Sequence, residues 1–322
     1  MRLLAALVAL AATGCSATVD EPVADGDDVE TSADASVQAT VVVESTTALP
    51  TTPSRMRSHV SARFLKVSGL DPQAADEVIG GTTAVVNAPE GCVFQEADAS
   101  TVPDEGTIEL LDVGEIVVHA LRSDLPDVSL PLAARAFPDV GELVSGVVYT
   151  SRDETTALPE VGTYVIETSG SPAVEGFSLS LDAPAAPEGV RLGGVDLEQG
   201  ETMVLTAGEA LGVGWVAGDD ETDRIVIELA SLEPAGGAVG QDGVAVTGAA
   251  VSCVFPDRVL PDGVFPDRGH ATVPAAFTSF AEGSEVLVVV RRYRRRGVKL
   301  PAVDEAYVDF DFAVTARVVV GG

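Results

Sequence analysis

Lysine is almost missing from this chain: only Lys66 and Lys299 occur in 322 residues, and 19 basic residues in all stand against 50 acidic ones. A net charge of −31 repels polyanions, which excludes nonspecific nucleic-acid binding. Histidine is scarce too. His59, His119 and His270 lie far apart with no His-Glu-x-x-His, so the ligand set of a catalytic zinc site is not there. Neither a Gly-x-Ser-x-Gly elbow nor a Walker loop occurs. The expectation is therefore no catalytic residue, no metal and no cofactor in a protein that is not an enzyme. No apolar run approaches the roughly 20 residues that a membrane-spanning helix needs. What the chain does have is apolar material, 46% of its residues, enough for one large or two ordinary cores.

The N-terminus has its own pattern. Met1 and Arg2 precede an unbroken apolar run, Leu3 to Ala12, which is the layout of a secretory signal. The run closes on Ala12-Thr13-Gly14-Cys15, which resembles the bacterial lipobox. That resemblance implies a signal peptide at 1–14, acylation of the Cys15 thiol, and a membrane as partner through the acyl chains. A bacterial lipoprotein carries two or three chains, which makes a stable anchor where one would be marginal. Ser16 after Cys15 is similar to the sorting signal for the outer membrane or cell surface.

Residues 15–57 are rich in Ser, Thr, Ala and Pro and carry Asp20, Glu21, Asp25, Asp27, Asp28, Glu30, Asp34 and Glu44. That composition predicts a disordered acidic linker. Asp25, Asp27 and Asp28 lack the closing Glu of a calcium loop. From Ser58 onward apolar residues alternate with polar ones at period two, the mark of half-buried antiparallel strands. Phe177, Leu179 and Leu181 share one face, as do Ile225, Ile227 and Leu229, and again Val308, Phe310, Phe312 and Val314. Leu211, Val213 and Trp215 form another inward set, with Gly212 and Gly214 between them where a second backbone would approach. Short helices are expected only at Pro72 to Val78 and Pro274 to Phe280. Pro184-Ala185-Ala186-Pro187 breaks the alternation and is taken as a junction. The fold class expected is mostly β, with one antiparallel β-sandwich domain at 58–187 and a second at 188–322.

Several segments resemble a family of exported bacterial proteins, many of them lipoproteins, built from tandem Ig-like β-sandwich domains. In the first half these are Leu110-Leu111-Asp112-Val113-Gly114, Gly162-Thr163-Tyr164, and Gly176 to Leu181 running into Asp182-Ala183-Pro184. In the second they are Gly208, Leu211, Val213 and Trp215, then Asp223 to Ile227, Ser252-Cys253, Gly269 and Thr272 to Ala275. The resemblance covers most of residues 90 to 320 and implies an Ig-like form for both domains. It brings no activity with it. This chain departs where Val254-Phe255-Pro256-Asp257-Arg258 recurs as Val264-Phe265-Pro266-Asp267-Arg268, which reads as a tandem duplication lengthening one loop.

Three groups of residues remain. Cys92 and Cys253 are the thiols left in the mature chain, and an oxidising destination favours their pairing, against the alternative of two buried free cysteines. Asp219, Asp220, Glu221 and Asp223 form an acidic turn, solvated or holding a weakly bound cation. Arg291, Arg292, Arg294, Arg295, Arg296 and Lys299 crowd around Tyr293. Two readings are open for them. They form a cationic patch for an anionic glycan or an acidic partner, or they guard a sheet edge and neutralise carboxylates such as Asp304, Glu305, Asp309 and Asp311. The function expected is a lipid-anchored cell-envelope protein with a structural, adhesive or interaction role, meeting envelope polysaccharide or protein.

Overall fold

In the computed structural model of the protein, the residues described are 35–49, 56–71, 74–75, 78–79, 90–95, 106–121, 127–137, 144–151, 158, 160, 162–199, 203–232, 246–257 and 268–321. Cys15, its signal run and the Asp25 to Asp28 cluster lie outside them. The first half contributes β1 (Ser36–Leu49), β2 (Met56–Ser68), β3 (Gly91–Gln95), β4 (Thr107–Leu110), β5 (Ile116–Leu121), β6 (Val128–Ala136), β7 (Val144–Ser151), β8 (Gly162–Thr168) and β9 (Ser178–Ala183). The second contributes β10 (Arg191–Leu192), β11 (Val195–Asp196), β12 (Val204–Thr206), β13 (Leu211–Val216) and β14 (Arg224–Leu232). It ends with β15 (Val246–Pro256), β16 (Arg268–Val273), β17 (Glu285–Val298) and β18 (Glu305–Gly321). The architecture is mostly β.

The main sheet runs β3-β15-β14-β17-β18-β1-β2-β4-β7-β6-β5-β8-β9, with β12 also paired to β18. A small sheet runs β11-β10-β13-β16. One strand turns a corner in the main sheet: β6 pairs with β5 through Pro131 and with β7 from Leu132 on. That switch brings β5, β8 and β9 over β1, β2 and β18. Val41, Val43, Phe64, Phe310 and Phe312 meet Val118, Tyr164 and Ile166 in the first core. Tyr164 packs edge-on to Phe310 with ring centroids 5.4 Å apart. The second core lies between the small sheet and β14, β15, β17 and β18, with Leu192, Val213, Trp215 and Val273 against Ile225, Ile227, Val288 and Val318. A third, smaller cluster sits where Leu65, Val67, Ile108 and Val144 meet Ala75 and Ile79.

The strand β18 joins the two larger cores. Side chains two apart on a strand share a face, so its even-numbered residues all point one way. Val308, Phe310 and Phe312 enter the first core, and Val314, Ala316, Val318 and Val320 enter the second. The division at 187/188 is thus not a division of the core, because the end of the chain returns to complete the first half. Asp34 to Gly322 form one compact unit.

The expected linker is corrected at Ser36–Leu49. Ser36–Leu49 is a 14-residue strand, parallel to β18 and antiparallel to β2. The acidic residues that make 15–57 look unfoldable stop at Asp34, apart from Glu44, and the valines Val41, Val42 and Val43 that follow are buried. Averaging composition across the whole stretch hides that change. Of the two expected helices, the second is a 3-10 turn at Ala275–Phe277.

Candidate functional site

The arginine run lies within β17, and strand alternation sends its members to opposite faces. Arg292, Arg294 and Arg296 point one way, Arg291 and Arg295 the other. Arg292 is 2% exposed and Asp257 fully buried. The guanidinium donates from Nε to Asp257 Oδ2 at 3.0 Å, from Nη1 to the Ala185 and Ala186 carbonyls at 2.7 and 3.1 Å, and from Nη2 to the Val216 carbonyl at 2.6 Å. Asp257 also accepts from Trp215 Nε1 at 2.7 Å and from the Gly218 amide at 2.6 Å. A buried charge without partners costs several kcal/mol. Here both charges are satisfied, and the junction at Ala185 and Ala186 is tied to the second core by the same group.

The other arginines are paired as well. Arg294 grips Asp223 in a fork, Nε to Oδ1 at 2.6 Å and Nη2 to Oδ2 at 2.8 Å, and reaches Asp219 at 2.8 Å. Arg296 bonds Asp220. Arg291 bridges Glu228 and Asp311 at 2.7 and 2.8 Å. Arg295 forks onto Asp309, both bonds 2.8 Å, and lies over the Tyr307 ring. Of the two readings, neutralisation holds, at Asp309 and Asp311 as expected, and the cationic patch is corrected: Arg291, Arg292, Arg294, Arg295 and Arg296 each bond a carboxylate of the same chain, and Lys299 alone of the six is exposed without being part of these pairs. In the acidic turn Asp219 and Glu221 are exposed, as a solvated turn requires, whereas Asp223 is buried, and Asp219, Asp220 and Asp223 each bond a guanidinium group. Arg294 keeps the Asp219 carboxyl below the ordinary range, and Arg296, helped by Thr222, does so for Asp220.

Cys92 and Cys253 face each other in the β3–β15 register and are joined, S–S 2.06 Å. The bond ties an edge strand from the first half to the second-half sheet.

On the other side of Trp215 the described residues leave a groove. In β13, Leu211, Val213 and Trp215 point into the core, so Gly212 and Gly214 present backbone alone on the outer face. Gly189, Gly193, Gly194 and Gly269 extend that floor into a groove of 490 Å³, rimmed by Arg191, Val216 and His270. A methyl group added at Gly214 would find only the Gly269 carbonyl at 3.9 Å, and one at Gly194 nothing within 4 Å. The expected approach of a second backbone is seen at Gly214 only as the Gly269 carbonyl, and Gly212 faces the His270 ring instead, so among the described residues no strand lies over these glycines. Gly269 is different: a Cβ there would collide with the Trp215 indole. The network behind the groove thus fixes its floor, with Asp257 orienting Trp215 and Arg292 holding Val216. Although the protein is strongly acidic, among the described residues no carboxylate lines the groove, and the charged or titratable side chains there are Arg191, 3.9 Å from Asp196, and His270.

Sequence reasoning missed Asp257, the centre of the network. Its only signal is membership of the repeated Val-Phe-Pro-Asp-Arg segment, of whose first copy Val254 to Pro256 form the end of β15 with Asp257 just past it. Among the described residues no group of three or more His, Cys, Asp or Glu is placed to hold a metal ion, and no helix is long and apolar enough to cross a membrane.

No protein-family model matches the chain, and no curated protein matches it. Among solved structures, the yeast delta-COP-I mu-homology domain is similar over 88% of this chain and 97% of its own length, at 8% identity and a TM-score of 0.21. The same domain complexed with a Dsl1 WxWxV peptide is similar over 88% and 98%, at 8% identity and a TM-score of 0.20. At these scores neither likeness bears on fold or function here.

Proposed function

We propose that this is a non-enzymatic, lipid-anchored protein of the bacterial cell envelope, acylated on Cys15, that displays two Ig-like β-sandwich lobes, one around each larger core, for an interaction role. The observation that carries the reading is the Cys92–Cys253 disulfide. Such bonds persist in oxidising compartments and are rare in a reducing cytosol, which agrees with the export signal. The location that follows is the outer membrane or cell surface. The contact is assigned to the glycine-floored groove, with envelope polysaccharide as the partner. Pockets that hold small ligands run from about 300 to 1,000 Å³, and 490 Å³ falls among them. A sugar ring can lie flat on exposed peptide planes where no Cβ intervenes, and Arg191 and His270 supply donors for its hydroxyl or carboxylate groups.

Metabolic labelling with a clickable fatty acid tests the anchor. Wild type takes the label and Cys15→Ser does not; an unlabelled wild type, or label that survives the substitution, defeats the proposal.

A further inference from the structure

We propose that Glu44 and Asp311 hold one proton between them in the folded protein, so that the seam joining β1 to β18 depends on that proton. The two strands are parallel and place Glu44 in register with Asp311, neighbours roughly 4.8 Å apart with side chains on one face. Asp311 Oδ2 accepts from Arg291, but Asp311 Oδ1 is buried with no hydrogen-bond partner. A buried acceptor left without a donor is rare and costly. A protonated Glu44 is the donor at hand; an ionised Glu44 has nothing to donate.

The surrounding charges are unequal to two ionised carboxylates. On β2, His59 stands in register with Glu44, its Nδ1 engaged with Ser151 Oγ at 3.1 Å, and Arg63 lies four residues further along, in register with Thr40 and donating to the Ile79 carbonyl at 3.2 Å. On β17, Arg291 is shared with Glu228 of β14, and Tyr293 rather than a cation stands in register with Asp311. Asp309, the next residue on the same face of β18, is taken by Arg295. Burial, then the charge of Asp311, pushes the Glu44 carboxyl up; burial pushes Asp311 up although Arg291 opposes it. Both shifts agree with the geometry. A carboxyl raised in the folded state favours folding at low pH and loses that contribution as the pH climbs from the ordinary carboxylate range to the folded value. The strand affected is the one that directly follows the acidic N-terminal stretch.

Infrared spectroscopy in D2O provides the test. Above the ordinary carboxylate range the wild type keeps a protonated-carboxyl C=O band, which disappears on further alkalinisation and is absent from Glu44→Gln. Glu160, another carboxyl raised by burial, contributes its own band, so the readout is the difference between wild type and variant. Glutamine mimics the protonated acid and preserves the fold. The melting temperature of Glu44→Gln relative to wild type should accordingly rise as the pH rises. No difference band at any such pH, or a relative melting temperature that does not change with pH, overturns the proposal.

Discussion

β17 and β13 contribute to the same half of the protein and differ in almost everything a sequence makes visible. β17 carries five arginines in six positions and looks like a surface made for an outside partner, yet each arginine is bound to a carboxylate of its own chain. β13 carries glycines with no chemistry of their own, and the open groove is there. Charge density in a sequence counts ions but not their neighbours. Among the described residues the open surface is where side chains are missing, and the charged network lies one layer behind, holding its floor.

The comparison breaks most sharply at Arg292. Replacing it by Met strands a fully buried Asp257 and three backbone carbonyls, which should cost about 3 to 5 kcal/mol in denaturant unfolding. A loss under about 1 kcal/mol would mean that the network is dispensable. The disulfide ranks next. Cys92 and Cys253 lie 161 residues apart, and the doubly substituted Ser variant should lose about 2 to 4 kcal/mol, with about 5 as the upper figure of the chain-entropy model.

Arg296→Gln is a milder change, because Arg296 and Asp220 are 31% and 25% exposed. Partly exposed pairs contribute about 1 kcal/mol or less. Its signature is in the pH dependence. The Asp220 carboxyl is held below the ordinary range, so its contribution is fully present above that range and is lost as the pH falls below it. The variant should therefore show a shallower drop in melting temperature on acidification than the wild type; an unchanged slope would remove Arg296 as the cause. Gly214→Val has the smallest expected effect, within about 0.5 kcal/mol, since among the described residues a Cβ there meets only the Gly269 carbonyl, at 3.9 Å.

Much of this fold is legible in the sequence, and the limits have physical reasons. The alternation of β13, β14 and β18 is visible because half-buried strands repeat every two residues. Leu211, Val213 and Trp215 were expected inside and are inside. β1 is hard to see because its place depends on pairing with β18, more than 260 residues away, while its local composition is diluted by the acidic stretch before it. Among the arginine partners Asp309 and Asp311 are legible, only 14 and 20 residues from Arg295 and Arg291, whereas Asp257 and Asp223 are hidden for the same reason, 35 residues from Arg292 and 71 from Arg294. The glycines at 212 and 214 are visible as an oddity, but only the assembled small sheet reveals whether another backbone covers them or leaves them bare.

The measurement that separates the two regions most directly is retention of the mature protein on envelope polysaccharide, compared among wild type, Gly214→Val and Arg296→Gln. Retention should be lost when the groove is filled at Gly214 and should persist when Arg296 is neutralised. Retention that survives Gly214→Val and disappears with Arg296→Gln would contradict the account, returning the contact to the arginine strand.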